Sequence, residues 1–135
     1  MTPAPLLDTH VWLWWLLGDS RLSSRELEIL DEFPDDNRPA LSSISLWELA
    51  MLVDLGRVEL EVSLNDFLKS ACSPETVRMI PIQPRVVIEM NQLPSTFHRD
   101  PADRLIVATA RAENIPLATH DRKILAANLT PIWRP

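Results

Sequence analysis

Leu6-Leu7-Asp8-Thr9-His10-Val11-Trp12 is the stretch on which the reading of the fold turns. Two leucines followed by an acid and a hydroxyl read as a short buried strand that runs out into a polar loop. From His10 to Leu17 the chain is apolar nearly all round, until Gly18 stops it. That pattern predicts a helix covered on more than one side.

Working outward, Leu22-Ser23-Ser24 introduces a second helix with Leu27, Ile29 and Leu30 as its apolar positions, ending before Pro34. Pro39-Ala40-Leu41-Ser42 predicts a strand, and a helix from about Ile44 to Leu55 follows, closed by Gly56. Ser63 is placed to cap a helix through Ala71. Val77 to Ile82 is rich in strand formers, and Pro84 starts a helix to about Asn91. The clearest helix spans Ala102 to Glu113, with Leu105, Ile106, Ala108, Thr109 and Ala112 as its inner face. Ile115 to Thr119 is a strand, Asp121 to Ala127 a short helix, and Thr130 to Trp133 a last strand. Short apolar strands alternating with helices predict an α/β sandwich around a mainly parallel sheet. With 135 residues, 46% of them hydrophobic, and no repeat or linker, a single domain over 1–135 is expected.

The composition excludes several functions. Cys72 is the sole cysteine, so no intrachain disulfide and no cysteine-based zinc site can form, and a small buried or half-buried thiol is expected. The start of the chain lacks the basic and apolar pattern of a signal peptide, and Val11 to Leu17 falls far short of the ~20 residues of a membrane span, which points to the cytoplasm. A net charge of −6 suits a nucleic-acid enzyme poorly, unless carboxylates hold metal; two divalent cations would bring it to −2.

In an open parallel sheet, sites form outside the carboxyl ends of the strands. Asp8, Asp121 and Glu48 fall at that end by this reading, and Asp103 lies in the first turn of its own helix. Each has a structural alternative. Ser45-Leu46-Trp47-Glu48 matches a capping box; Asp100-Pro101 reads as a helix cap with Asp103 three residues on; Asp121 could cap the helix after it. Asp8 is harder to explain away, because a carboxylate buried at the end of an apolar strand must be paired or metal-bound. Acids brought together repel, by about 4 kcal/mol per pair at ~4 Å and an effective dielectric near 20. Such a cluster needs cations or raised pKa values, and oxygen ligands without cysteine or histidine suit Mg²⁺ or Mn²⁺.

At Leu7-Asp8-Thr9-His10-Val11, Ser42-x-x-Ser45-Leu46-Trp47-Glu48, Arg99-Asp100-Pro101-Ala102-Asp103-Arg104-Leu105-Ile106-Val107-Ala108-Thr109-Ala110 and Leu117-Ala118-Thr119-His120-Asp121, the sequence resembles the PIN-domain family, more narrowly its VapC-type toxins. The resemblance implies a three-layer α/β/α sandwich and a metal-dependent endoribonuclease that cleaves RNA with metal-activated water, leaving a 5′-phosphate and a 3′-hydroxyl. Carried over by position, the metal-binding and catalytic acids are Asp8, Glu48, Asp103 and Asp121, with Mg²⁺ or Mn²⁺ as cofactor. Thr119 matches a hydroxyl residue that helps order the water. Asp100 matches the first acid of the Asp-Pro-x-Asp-Arg signature and ranks below Asp103, since capping accounts for it. Arg99, Arg104 and His120 stand beside the acids as phosphate contacts or solvated side chains, and His10 reads as structural. A catalytically inactive PIN-like module for RNA binding or scaffolding is the alternative. An aspartyl phosphatase would need Asp-x-Asp after the first strand, where this chain has Asp8-Thr9-His10.

The tryptophans form a separate signal. Trp12 and Trp47 are expected in the core. Trp14 and Trp15 are neighbours pointing about 100° apart on one helix, so they cannot both face one core. An uncovered apolar patch there would be a partner site. The resemblance implies that this region receives a small cognate antitoxin, that another face forms a homodimer, and that no membrane is involved.

Overall fold

Strands of two or three residues suffice here because β1, β2 and β4 are buried throughout, and only the edge strand β3 exposes a residue, Arg78. The computed structural model describes residues 3–135. In chain order these form β1 (Leu6–Leu7), α1 (Thr9–Leu17), α2 (Ser24–Glu32), β2 (Ala40–Ser42), α3 (Ile44–Asp54), α4 (Leu64–Ala71), β3 (Arg78–Ile80), α5 (Pro84–Asn91), α6 (Pro101–Glu113), β4 (Leu117–Ala118) and α7 (Arg122–Ala127). The sheet runs β3-β2-β1-β4, and every pairing is parallel. Leu6 pairs with Ala40 and Leu117, and Leu7 with Leu41 and Ala118.

Successive strand residues point to opposite faces, and the packing follows that rule. Leu6, Ala40 and Leu117 join Val86 of α5, Ile106, Val107 and Ala110 of α6 and Ile124 of α7 in one core. Leu7, Leu41 and Ala118 join Val11, Trp12 and Trp15 of α1, Leu30 of α2 and Leu49 of α3 in the other. The result is the three-layer α/β/α sandwich, with apolar strands of the kind that parallel sheets require.

The helix ends follow local chemistry. Ser23 and Glu26 form a reciprocal capping box at the start of α2, and the Ser63 hydroxyl accepts from the Asp66 amide at the start of α4. Gly18 and Gly56 adopt left-handed conformations (φ 65° and 72°) where α1 and α3 stop, which glycine tolerates without strain. Cys72 is half-buried, and burial pushes its thiol above the ordinary range.

Three expectations need correction. Thr130 to Trp133 is reduced to one parallel bridge, Ile132 beside Leu117, because Pro131 has no N–H with which to extend a ladder. Trp47 is not in the core: it lies on the outer side of α3, 50% exposed, with Met51 and Leu55 exposed one and two turns on. Trp14 and Trp15, in turn, leave no open patch. Trp15 is buried, its indole N–H donating to Asp31 at 2.8 Å, with the Arg38 guanidinium over its ring. Trp14 is half-covered by His10, His120 and the Arg21 guanidinium. Trp12 is fully buried as expected and donates to the Ala71 carbonyl.

A candidate metal centre at the switch of the sheet

β1 is followed in space by β2 on one side and β4 on the other, so the chain reverses its direction of travel across the sheet there. A crevice opens at such a point, past the carboxyl ends of the strands. Asp8 is the residue after β1 and Thr119 the residue after β4. The Asp8 amide donates to the Ala118 carbonyl at 3.0 Å, carrying the ladder one residue further and holding the two loops together. The Thr119 hydroxyl then donates to Asp8 Oδ2 at 2.7 Å and accepts from the Asp121 amide at 3.0 Å, so one hydroxyl fixes both loops.

Asp8 occupies the N-cap position of α1, but its side chain makes no capping bond. Its carboxylate is thus spared for another role. Burial raises its pKa above the ordinary carboxylate value, opposed by the Thr119 hydrogen bond and the nearby His10, and the charge of Asp121 adds to the rise.

Glu48 arrives from α3 by a route different from a capping box. The helix starts at Ile44 with Ser43 as its cap residue, so Ser45 lies inside it rather than capping it. Ser45 turns inward, buried, and its hydroxyl meets that of Thr9 at 2.8 Å. This bond docks α3 against the start of α1, and Glu48, three residues on, shares that helix face. Glu48 Oε1 is buried without a hydrogen-bond partner among the described residues. Burial raises its pKa, and the charges of Asp8 and Asp100 push the same way.

Asp121 combines both of its possible roles, whereas Asp103 is left free for one. Asp100 caps α6 by accepting from the Asp103 amide at 3.1 Å, which leaves the Asp103 carboxyl itself free of capping duty. Asp121 Oδ1 caps α7, accepting from the Lys123 and Ile124 amides. The Asp103 pKa is pushed up to about 8, by burial first and then by the charges of Asp8, Asp100, Asp121 and Glu48. Asp8, Asp100, Asp121 and Glu48 thus all lie close enough for their charges to act on Asp103.

Two sets of side chains can each bring three ligand atoms within 4.8 Å of one another: Glu48, Asp100 and Asp103, and His98, Asp103 and Asp121. Asp103 belongs to both. Asp8 belongs to neither set and is more deeply buried than any of them. Asp100, ranked low by its capping role, is thus drawn in. His98 was not singled out by sequence at all; it lies in the turn before α6, where no periodicity distinguishes one histidine from another. The donor set is rich in hard oxygen, burial and then neighbouring charge raise the pKa values of Glu48 and Asp103, and Glu48 Oε1 lacks a partner among the described residues. On these grounds the residues fit a divalent cation.

Glu48, Asp100, Asp103 and Asp121 line a crevice of about 990 Å³, with Asp8 buried outside its lining. Arg57, Arg99, Arg122 and Lys123 also line it, and none of the four makes an ion pair among the described residues. An acidic floor under a basic rim reconciles the net charge of −6 with a polyanionic ligand. Arg104 is not part of the rim: its guanidinium donates to the Phe97 and His98 carbonyls. His120 contacts Glu26 at 2.8 Å, and His10 lines the crevice.

Residues 6–128 match the PIN domain family. The chain belongs to that family. It is 39% identical over 122 residues to Ribonuclease VapC22 of Mycobacterium tuberculosis (strain ATCC 25618 / H37Rv), the match covering 88% of each chain. Among solved structures it resembles FitAcB from Neisseria gonorrhoeae, with a TM-score of 0.71 at 25% identity over 96% of both chains. VapBC2 from Rickettsia felis, bound to a DNA fragment from its promoter, superimposes with a TM-score of 0.69 at 20% identity over 96% of this chain and 97% of that one.

One consequence concerns Thr119. In Thr119→Val, Asp8 loses its hydroxyl donor and the Asp121 amide its acceptor, while the shape is kept. The expected cost is about 1–3 kcal/mol of stability, measured by urea unfolding in EDTA. An unchanged midpoint would contradict the role of this hydroxyl in joining the two loops.

Proposed function

We propose that this PIN domain is a metal-dependent endoribonuclease and the toxin of a toxin–antitoxin pair. The observation that supports the reading is that Glu48, Asp103 and Asp121 line one crevice with several basic side chains, while Asp8 lies buried close enough for its charge to act on Asp103, whose pKa burial and then the neighbouring acids push up to about 8. The relative named a ribonuclease supports the substrate class.

When bound, Mg²⁺ or Mn²⁺ supplies Lewis acidity toward a phosphodiester and lowers the pKa of a water. Asp103 would hold the cation, with Glu48 on one side of it or Asp121 on the other, and Asp8 would contribute buried negative charge close by. The Thr119 hydroxyl orients Asp8 and, through the Asp121 amide, the loop that carries the last acid. Arg57, Arg99, Arg122 and Lys123 take the phosphates on either side of the cut. Hydrolysis by water, without help from the ribose 2′-hydroxyl, yields a 3′-hydroxyl and a 5′-phosphate. Mapping the fragment ends tests this: 2′,3′-cyclic phosphates on the products would contradict it. The inactive RNA-binding module is the second reading, and it predicts metal and RNA binding without new ends.

The same reading assigns a partner to the exposed side chains of Leu17, Met51 and Leu55, which line the crevice, and of Trp47, one turn before Met51 on α3. An antitoxin helix with apolar anchors would cover them, with pairing of two copies through another face. Trp47→Glu is expected to weaken the antitoxin complex by about 2 kcal/mol or more, roughly thirtyfold in Kd. Calorimetric titration checks this, and an unchanged Kd would move the antitoxin elsewhere.

A further inference from the structure

His98 stands out among the groups facing the acids because it brings nitrogen to a set otherwise made of oxygen. Its Nε2 lies 3.2 Å from Asp103 Oδ2. Yet that nitrogen is buried and makes no hydrogen bond of acceptable geometry to any described residue. A buried ring nitrogen in this position is costly unless something outside the protein takes it. The ring is held from several sides. Phe97 packs edge-on against it at 4.7 Å between centroids. Arg104 donates to the carbonyls of both Phe97 and His98, at 3.0 and 3.3 Å, and lies over the Phe97 ring. The turn before α6 is therefore tied to the helix that carries Asp103, and the imidazole has little freedom to swing away.

A ring nitrogen of His98 and one oxygen each from Asp103 and Asp121 fall within 4.8 Å of one another, the span needed to surround a single ion. We propose that His98 is a direct nitrogen ligand to a divalent cation shared with Asp103 and Asp121, and that it biases this part of the site toward Mn²⁺ over Mg²⁺. The chemistry follows from the donor sets. Mg²⁺ takes oxygen ligands and keeps its waters, whereas Mn²⁺, although it also favours oxygen, is a transition ion that gives up a water to an imidazole more readily than Mg²⁺ does. Glu48, Asp100 and Asp103 form an all-oxygen set on the other side of Asp103 and carry no such preference. Arg104 is a positioning residue for the imidazole rather than a phosphate contact.

This inference rests on the reading of the crevice as a metal centre, and the test separates the two. The probe is Mn²⁺ alone, added to the full chain, read by pulsed electron paramagnetic resonance for coupling to ¹⁴N. Wild-type protein is expected to show that coupling, and ¹⁵N labelling of its histidines should alter it, which requires no variant to fold. In His98→Asn the nitrogen coupling should vanish. Mn²⁺ affinity should fall by at least the 10- to 100-fold that follows loss of an outer-shell metal partner, while Mg²⁺ affinity is little changed. Mn²⁺ bound by the wild type without nitrogen coupling, or an equal loss of both ions in His98→Asn, would overturn the role of His98 and leave the metal centre standing. Failure of the wild type to bind Mn²⁺ would overturn both.

Discussion

Asp8→Asn is expected to lower the rate of RNA cleavage by about a thousandfold or more while leaving the fold as stable as before or more so. The loss follows from charge. A bound cation contributes several kcal/mol to a phosphoryl transition state, and each 1.36 kcal/mol is tenfold in rate. Asp8 is the most buried of the acids, so its charge acts on the cation through little water and is hard to replace. The unchanged stability follows from the same burial. A carboxylate whose pKa is raised by burial destabilises the fold when ionised, and an amide of equal shape removes that penalty while still accepting from Thr119. Cleavage assays beside thermal melts separate the two effects. A variant that cuts at the wild-type rate would remove Asp8 from the site, and one that unfolds would make it a structural residue.

Stripped of divalent cations, the protein is expected to lose stability as pH rises through neutrality. Asp103 keeps its proton to about pH 8 in the folded chain, against an ordinary value of 3.8 for the unfolded one. Between those values the folded state binds more protons than the unfolded state, so the free energy of unfolding falls as pH rises. The favourable contribution is complete below about pH 4 and is lost by about pH 8. Asp8 and Glu48 are raised in the same direction, and the acids titrate together rather than singly. A difference of about four pH units sets a ceiling above 5 kcal/mol for Asp103. Solvent at the open crevice reduces this to about 1–3 kcal/mol. Asp103→Asn should therefore melt several degrees above the wild type in EDTA at pH 8. Adding Mn²⁺ should close the gap, because only the wild type gains fully from binding. A melting temperature for the metal-free wild type that rises from pH 5 to pH 8 would contradict the crowding of these acids.

The parts of the molecule that sequence foretold are those where local pattern and tertiary need agree. Leu6-Leu7-Asp8 is apolar up to the residue where the strand must end, and no feature of the fold competes with that reading. The same holds for most of α6, where Asp100 and Pro101 mark the start and Ile106, Ala108 and Thr109 are buried as expected, although Leu105 and Ala112 are only half-buried and Val107 and Ala110 join the core instead. Glu48 reaches the crevice, and the capping box that its sequence also suggests does not form. Ser45 and Glu48 have the spacing of a capping box, but Ser45 is claimed by Thr9 across 36 residues of sequence, and a local pattern cannot contain that contact.

Trp47 failed similarly. Indole at helical spacing suggests core, whereas α3 buries Ser45, Leu49 and Leu52 and turns Trp47 outward. His98 was invisible because its role depends on where Arg104 pins a turn that has no pattern of its own. A single histidine gives no spacing to read, and only the fold brings it to Asp103.

The central claim is that this crevice cuts RNA with the help of a divalent cation, and one assay tests it most directly. Purified protein, freed of any antitoxin, is mixed with total cellular RNA in Mg²⁺, in Mn²⁺ and in EDTA. Discrete fragments that appear with either ion and vanish in EDTA are the predicted result. Fragments that persist in EDTA would contradict the account, since the acids would then be crowded together for some purpose other than holding the ion that does the work.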